Sequence, residues 1–408
     1  MRDDAGDGTG PPPGAMDRAG GRRLVLILGA LTAFTPLAVD MYLPALPAMA
    51  RQLAAGDGAV QLTLASFFLG IAIGQLFYGP ISDRVGRKPP LYFGIVTFVI
   101  ASAACALAPN VEALVALRFV QALGGCAGIV ISRAIVRDLF QPQQAARVFS
   151  YLMLVMGVAP ILAPLAGGYV VLWSGWPAIF WGLAAFGALV MLAVPGLPET
   201  RLGAAAPALG LASALNAYRV VLTDRHFLAY ALANGLPMAG MFAYIAGSPF
   251  VFIELYGVPA QDFGWFFGAN AFGLIGASQI NRRLLARHPA TRILAWAGMA
   301  AAGAGLVLLA DALTGFAGLW GIAVPLFFCI APLGMVMPNA AAASLAGHGE
   351  RAGTAAAMLG ILQFAGGGIS STAVSALHAA SALPMAAIVA GCMLAGVLAR
   401  RALAGPVA

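Results

Sequence analysis

Apolar residues along this chain gather into twelve runs, each near the twenty or so residues needed to cross a bilayer core, separated by short polar breaks. The runs cover residues 24–47, 60–81, 91–108, 113–136, 149–172, 176–194, 227–252, 263–280, 293–310, 316–340, 355–377 and 383–398. The longest stretch that tolerates polar residues, 195–225, falls between the sixth and seventh runs and divides them into two sets of six. The pattern predicts an all-α polytopic membrane protein with short connections.

Composition sharpens this. The chain has 408 residues, 61% of them apolar and a further 51 glycine, and its 22 basic and 15 acidic residues amount to 9%, against about 25% in soluble proteins. So few charges cannot cover a water-soluble surface of this size, which excludes a soluble enzyme, a nucleic-acid-binding domain and a disordered protein. The net charge of +7 is spread through short loops, with no basic helix or aromatic-interleaved patch. With the N-terminus in the cytoplasm, nineteen of the 22 basic residues fall on the inside, Arg51 falls outside, and Arg118 and Arg133 lie within the fourth run. That bias predicts both termini inside. Residues 1–21, with four acids and the run Pro11-Pro12-Pro13-Gly14, read as a disordered tail, and the apolar run after Arg22-Arg23 is too long for a cleaved signal peptide. Cys105, Cys126, Cys329 and Cys392 sit far apart in apolar runs and read as buried small hydrophobes, with no disulfide framework or metal spacing.

An ionisable side chain in hydrocarbon is a functional candidate by default. The one carboxylate well inside a run is Asp40, about 10 Å deep if the first helix ends near Pro47. Arg118 enters from the same side on the fourth helix and lies about 8 Å deep. Low dielectric resists ionisation of a carboxylate and a nearby guanidinium favours it, so a movable pair of this kind can take up and release a proton; the plainer reading is a static ion pair between two helices. Arg133, nearer its helix end, is expected to snorkel. After the second run comes Gly79-Pro-Ile-Ser-Asp-Arg-Val-Gly-Arg-Lys88, in which Gly79 and Gly86 permit a tight turn and Asp83 sits among the cations Arg84, Arg87 and Lys88. The fifth run holds Gly157-Val-Ala-Pro-Ile-Leu-Ala-Pro-Leu-Ala-Gly-Gly168, whose small residues allow close helix approach and whose Pro160 and Pro164 bend the axis.

Together these stretches resemble the major facilitator superfamily, and within it the bicyclomycin/chloramphenicol-resistance (Bcr/CflA-type) branch of drug/proton antiporters. Residues 79–88 match the family's loop 2–3 motif. Leu117-Arg118-Phe-Val-Gln121-Ala-Leu-Gly124 with Arg133-Ala-Ile-Val-Arg137-Asp138 is similar to the fourth-helix motif, and Asp40-Met-Tyr-Leu-Pro44 to the first-helix motif. Ala163-Pro164-Leu-Ala-Gly167-Gly168 resembles the fifth-helix antiporter motif, with alanine in place of its leading glycine. The resemblance implies twelve helices in two six-helix bundles around a central cavity opening alternately to each side, residues 22–194 and 226–401, with the linker 195–225 and a short tail 402–408. It also implies export of small amphipathic drugs in exchange for protons across the bacterial inner membrane. In that scheme Asp40 and Arg118 couple protons, while Gly79, Asp83, Arg84, Gly86, Arg87, Lys88, Pro160, Pro164, Gly167 and Gly168 serve gating. The loop 2–3 motif is expected to latch the bundles on the cytoplasmic side in the outward-open state, one-sidedly, since residues 281–287 in the second half keep cations but lack an acid.

Cavity-facing candidates for substrate contact are Phe34, Tyr42, Phe67, Gln121, Met153, Met156, Tyr244, Gln363 and Phe364, soft or aromatic residues suited to polyspecific recognition but equally at home in packing. No cofactor or metal is expected, and a monomer in a lipid bilayer is. The sole lysine, Lys88, precedes Pro89 and cannot complete a GxxxxGK[ST] phosphate loop; no HExxH or GxSxG is present. The alternatives left open are a metabolite or amino-acid exporter and a proton-independent facilitator or importer of the same fold.

Overall fold

The computed structural model describes residues 18–200, 219–346, 352–377 and 381–404. Residues 1–17 of the expected N-terminal tail, 201–218 of the linker and 405–408 of the C-terminal tail lie outside this set, whereas 18–21 and 402–404, expected in the tails, are helical. In chain order the long helices are α1 Arg18–Asp40, α2 Asp57–Val85, α3 Lys88–Ala106, α4 Val111–Leu139, α5 Pro142–Ser174 and α6 Pro177–Ala193. Then follow α7 Arg225–Pro249, α8 Phe263–Leu284, α9 Ala290–Thr314, α10 in two pieces (Gly318–Ile330 and Leu333–Leu345), α11 Ala352–Ala376 and α12 Leu383–Ala404. Among the described residues, eleven segments are long and apolar enough to cross a membrane. The twelfth, α8, has 22 residues and spans about 33 Å, but Asn270, Gln279 and Asn281 dilute its apolar character.

Prolines set the breaks. A proline ring collides with the carbonyl four residues earlier, and for Pro44 that carbonyl is Asp40's, where α1 stops. The chain continues through a 3₁₀ turn, Leu43–Ala45, into the short helix Leu46–Gln52. Likewise Pro332 divides α10. Both runs were expected to be unbroken. Side-chain caps start α4 and α7: Asn110 accepts from the Ala113 N–H at 2.8 Å and Asp224 from the His226 N–H at 2.8 Å. Each such cap is worth about 1 kcal/mol.

Lipid is as apolar as leucine, so helices associate through close packing and polar contacts rather than hydrophobic burial. Small residues let the backbones meet. A Cβ on Gly124 of α4 would lie 2.5 Å from the Phe98 nitrogen of α3, and one on Gly74 of α2 would lie 2.9 Å from the Cys126 Cβ of α4. Within the first half α2 packs on α4, α3 on α4 and α6, and α1 on α5 and α4; in the second, α7 packs on α12, α11 and α10. The two six-helix bundles meet along two seams, α2 against α11 and α5 against α8.

At the far end, opposite the one that carries Arg18 and Ala404, these seams are closed. Arg51 pairs with Glu254, and the Ser375 hydroxyl donates to the Gly58 carbonyl at 2.6 Å. Also there, a Cβ on Gly168 of α5 would lie 2.7 Å from the Ala260 carbonyl oxygen, just before α8.

Candidate functional site

The first cluster is built on α4. Arg118 is fully buried, with its guanidinium 4.3 Å from the Tyr42 ring centroid, 4.2 Å from Phe67 and 5.7 Å from Phe180. Nη2 donates to the Ala38 carbonyl at 2.9 Å and Nη1 to the Gln121 amide oxygen at 2.5 Å, while Nε has no partner among the described residues. The break after Asp40 leaves carbonyls of the last turn of α1 without helical donors, and Arg118 supplies one. Gln121 passes the network on: its amide nitrogen donates to Ser102 Oγ at 2.7 Å, and that hydroxyl donates to the Phe98 carbonyl at 2.6 Å. The Tyr42 hydroxyl bonds to Thr63, which donates to the Val60 carbonyl. Every partner is neutral. The cation is held by ring faces and dipoles, with no carboxylate.

That corrects the expected Asp40–Arg118 pair, which is not formed. The side of α1 facing α4 is the stripe of Leu31, Phe34, Ala38 and Tyr42: a Cβ on Gly128 of α4 would strike the Leu31 carbonyl, and one on Gly125 would lie 3.9 Å from the Phe34 Cβ. Asp40 sits two residues past Ala38, about 200° around the helix at 3.6 residues per turn, and so points away from α4. Depth alone made the two look paired. Asp40 is 5% exposed, has no hydrogen bond or ion pair among the described residues, and lies within electrostatic reach of Tyr244 on α7 in the other bundle. The Tyr244 hydroxyl accepts from the Asn270 amide of α8 at 3.0 Å, and its ring stacks on Phe267. Asn270 was not among the sequence candidates, although an amide in an apolar helix was an available signal.

Of the other substrate-contact candidates, Phe34 is fully buried inside the first bundle, 4.6 Å from Phe98 and 5.4 Å from Phe186 by ring centroids, and offers no free surface. Tyr42, Phe67 and Gln121 belong to the Arg118 network and are likewise fully buried. Phe364 joins an aromatic bridge across the seam: Phe68 of α2 lies 4.2 Å from Phe242 of α7, which lies 5.6 Å from Phe364 of α11. Gln363, half-buried beside it, follows Gly360 by three residues, the position where α11 meets Gln75. Met153 is half exposed and Met156 half-buried; Met153 stands one turn before Gly157, whose Cβ would lie 3.3 Å from Ile275 of α8.

The polar motif after the second run divides differently from the sequence reading. Because α2 continues to Val85, Gly79 lies inside the helix, and only Gly86 makes the turn, at φ +91°. A Cβ on Gly86 would also come 3.1 Å from the Glu199 carboxylate, which accepts from the Arg87 and Lys88 N–H groups at 2.7 and 2.9 Å. Arg87, 1% exposed, donates to Asp138 at 2.9 Å, to Asp83 at 2.8 Å and to Ser82 at 2.8 Å. Burial works against its charge, yet the bonds to Asp138 and Asp83 outweigh it and raise the guanidinium above its ordinary range. Thr200 shares Asp138 at 2.8 Å. These bonds tie α2, α4 and the start of the linker beside the first bundle, in a state whose far end is closed; the latch between bundles is an expectation for the opposite, outward-open state. Glu199 was missed; an acid five residues past the sixth run was its only signal. In the second half the matching position is held by neutral amides, Asn339 donating to Asn281 at 2.7 Å.

A test follows for the two glycines. Gly86→Ala is expected to destabilise the protein by about 1–3 kcal/mol, from left-handed strain and crowding of Glu199. Gly79→Ala, with nothing within 4 Å of the added methyl, is expected to leave stability unchanged or raise it slightly. Thermal unfolding of the detergent-solubilised variants reads both.

Comparison with known proteins agrees with this architecture. The family model described as Major Facilitator Superfamily matches residues 28–371. The uncharacterized MFS-type transporter YdgK of Bacillus subtilis is 38% identical over 369 residues, covering 90% of this chain and 91% of that protein. The bicyclomycin resistance protein homolog of Haemophilus influenzae is 34% identical, covering 92% and 94%, and the chloramphenicol resistance protein of Pseudomonas aeruginosa 32%, covering 81% and 76%. Among solved structures, a bacterial homolog of the lysosomal transporter Spinster, inward-facing and unoccupied, superimposes with a TM-score of 0.69 at 17% identity, covering 95% and 96%, which speaks to the fold alone. Twelve helices in two bundles, the polar motif around Arg87 and near end-to-end likeness to resistance transporters lead to one assignment: the chain belongs to the Major Facilitator Superfamily, in its bicyclomycin- and chloramphenicol-resistance branch.

Proposed function

We propose that this protein exports small amphipathic, drug-like molecules across the bacterial cytoplasmic membrane in exchange for protons, by alternating access, as a monomer with both termini in the cytoplasm. The observation that carries the reading is the match over nine-tenths of the chain to a relative named for bicyclomycin resistance. The basic residues gathered at the ends of the helices on the terminal side support the orientation. On that orientation the closed far end is extracellular.

The coupling reading rests on Asp40. It is a carboxyl group in the membrane layer, without an ionic partner among the described residues, placed where α1 of one bundle approaches Tyr244 of the other. A proton arriving there changes the charge at a seam that must open and close, so protonation and substrate bias one conformational equilibrium. Arg118 keeps a fixed positive charge on the α1 break beside it and acts as the counterweight. Tyr244, Gln363, Phe364, Met153 and Met156 are the substrate-contact candidates that lie on or next to the seams, Pro160 and Pro164 bend α5, and the end of α2 with the Gly86 turn transmits the rocking.

The experiment is uptake of radiolabelled chloramphenicol and bicyclomycin into inverted membrane vesicles, with an acid-inside gradient and again after an ionophore has collapsed it. Uptake of either compound that vanishes with the gradient is the expected result. Uptake that ignores the gradient points to a facilitator, and none for either compound removes the drug-export reading.

A further inference from the structure

A cavity of about 200 Å³ opens at the far end between the bundles. Its walls come from both halves: Asp57 and Gln61 from the first turns of α2, Phe250 and Glu254 from the segment after α7, Val374 from α11 and Met385 from the start of α12. Residues Phe250–Leu255 form a π-helical turn closed by the Tyr256 N–H to the Val251 carbonyl at 3.1 Å, and this wider turn carries Glu254 into the wall. Isolated π turns recur at functional sites.

The polar equipment of this cavity is one-sided. Gln61 is 3% exposed, and its amide oxygen has no hydrogen-bond partner among the described residues. An unsatisfied buried acceptor of this kind costs about 1–3 kcal/mol until a donor reaches it. Glu254 gives one carboxylate oxygen, Oε1, to Arg51 and retains Oε2. Asp57 adds a second carboxylate, and among the described lining residues there is no cation. The remaining wall adds the Ser381 hydroxyl, which accepts from the Leu383 N–H at 3.4 Å, and is otherwise apolar, with a ring face at Phe250 and a thioether at Met385. Acceptors and negative charge at one end of a small apolar chamber select a molecule with N–H donors, positive charge and a compact hydrophobic body.

We propose that this cavity binds a small primary ammonium ion carrying an apolar group, which donates to Gln61 and Glu254. Because α2 supplies one wall and α7, α11 and α12 the other, the site exists only while the far end is closed. Occupancy therefore stabilises that closure, and an amine arriving from that side holds the transporter in this state.

Equilibrium dialysis of radiolabelled benzylamine against the purified full-length protein in lipid nanodiscs tests this. Saturable binding is expected, weakened about tenfold or more by Gln61→Leu and by Glu254→Ala. Gln61→Glu, which keeps the acceptor and adds charge, is expected to tighten it, and this variant decides the matter if Gln61→Leu does not fold. Benzyl alcohol, of the same shape without the charge, is expected not to compete. Binding that is absent, that is untouched by both Gln61 substitutions, or that benzyl alcohol displaces as well as benzylamine does would overturn the proposal.

Discussion

Vesicles carrying Asp40→Asn are expected to show no gradient-driven substrate uptake above that of vesicles lacking the protein, at equal protein content. Asparagine keeps the volume and hydrogen-bonding reach of the carboxyl group but cannot exchange a proton. The exchange of external for internal labelled substrate without a gradient is expected to survive, because that half-reaction needs only the rocking of the bundles. The pairing of the two assays separates loss of coupling from loss of folding. Full gradient-driven uptake in the variant would remove Asp40 from the coupling scheme. Loss of both activities with an intact thermal transition would assign it to the conformational change itself.

Gly167→Val is the second substitution with a large expected effect. A Cβ at Gly167 would overlap the Met41 carbonyl oxygen, and this neighbour is backbone rather than a yielding side chain tip. Nor can the α1 break move aside easily: Pro44 fixes where the helix stops, and Arg118 is bonded to Ala38 three residues before Met41. So α5 must withdraw from α1, and with it goes Gly168, packed so closely across the seam that an added Cβ would lie 2.7 Å from Ala260 and Gln261. The expected outcome is a lowered thermal midpoint, from overpacking of about 1–3 kcal/mol or more, with transport reduced to background. Gly182→Val on α6 is the control, since nothing lies within 4 Å of its added Cβ. Normal transport and stability in Gly167→Val would show that α1 and α5 have room the structure does not give them.

These variants also mark what could be read without coordinates. The period and length of the apolar runs, the scarcity of charge and the sidedness of arginine depend on local chemistry alone: backbone groups must be satisfied within each helix in lipid, and charge must stay near water. For that reason twelve helices in two sets, and the positions of Asp40 near the end of one and Arg118 inside another, followed from the chain itself. Pro44 announced a break as well, although the run was read through it. The faces of the helices did not follow. Which side of α1 meets α4 depends on where Gly125 and Gly128 let the backbones touch, and that contact sends Arg118 to a carbonyl and Asp40 toward the other bundle.

The motif 79–88 shows the same division. Its charges and glycines were visible as an organised turn, but Asp138, which Arg87 also binds, lies 51 positions later on α4, and Glu199 arrives from 112 positions away. Sequence determined what each helix is made of and how deep its polar groups lie, because those properties are set within one or two turns. Tertiary structure alone decided which of these groups face each other, because helix rotation is fixed by contacts between segments far apart in the chain, where small residues permit close approach.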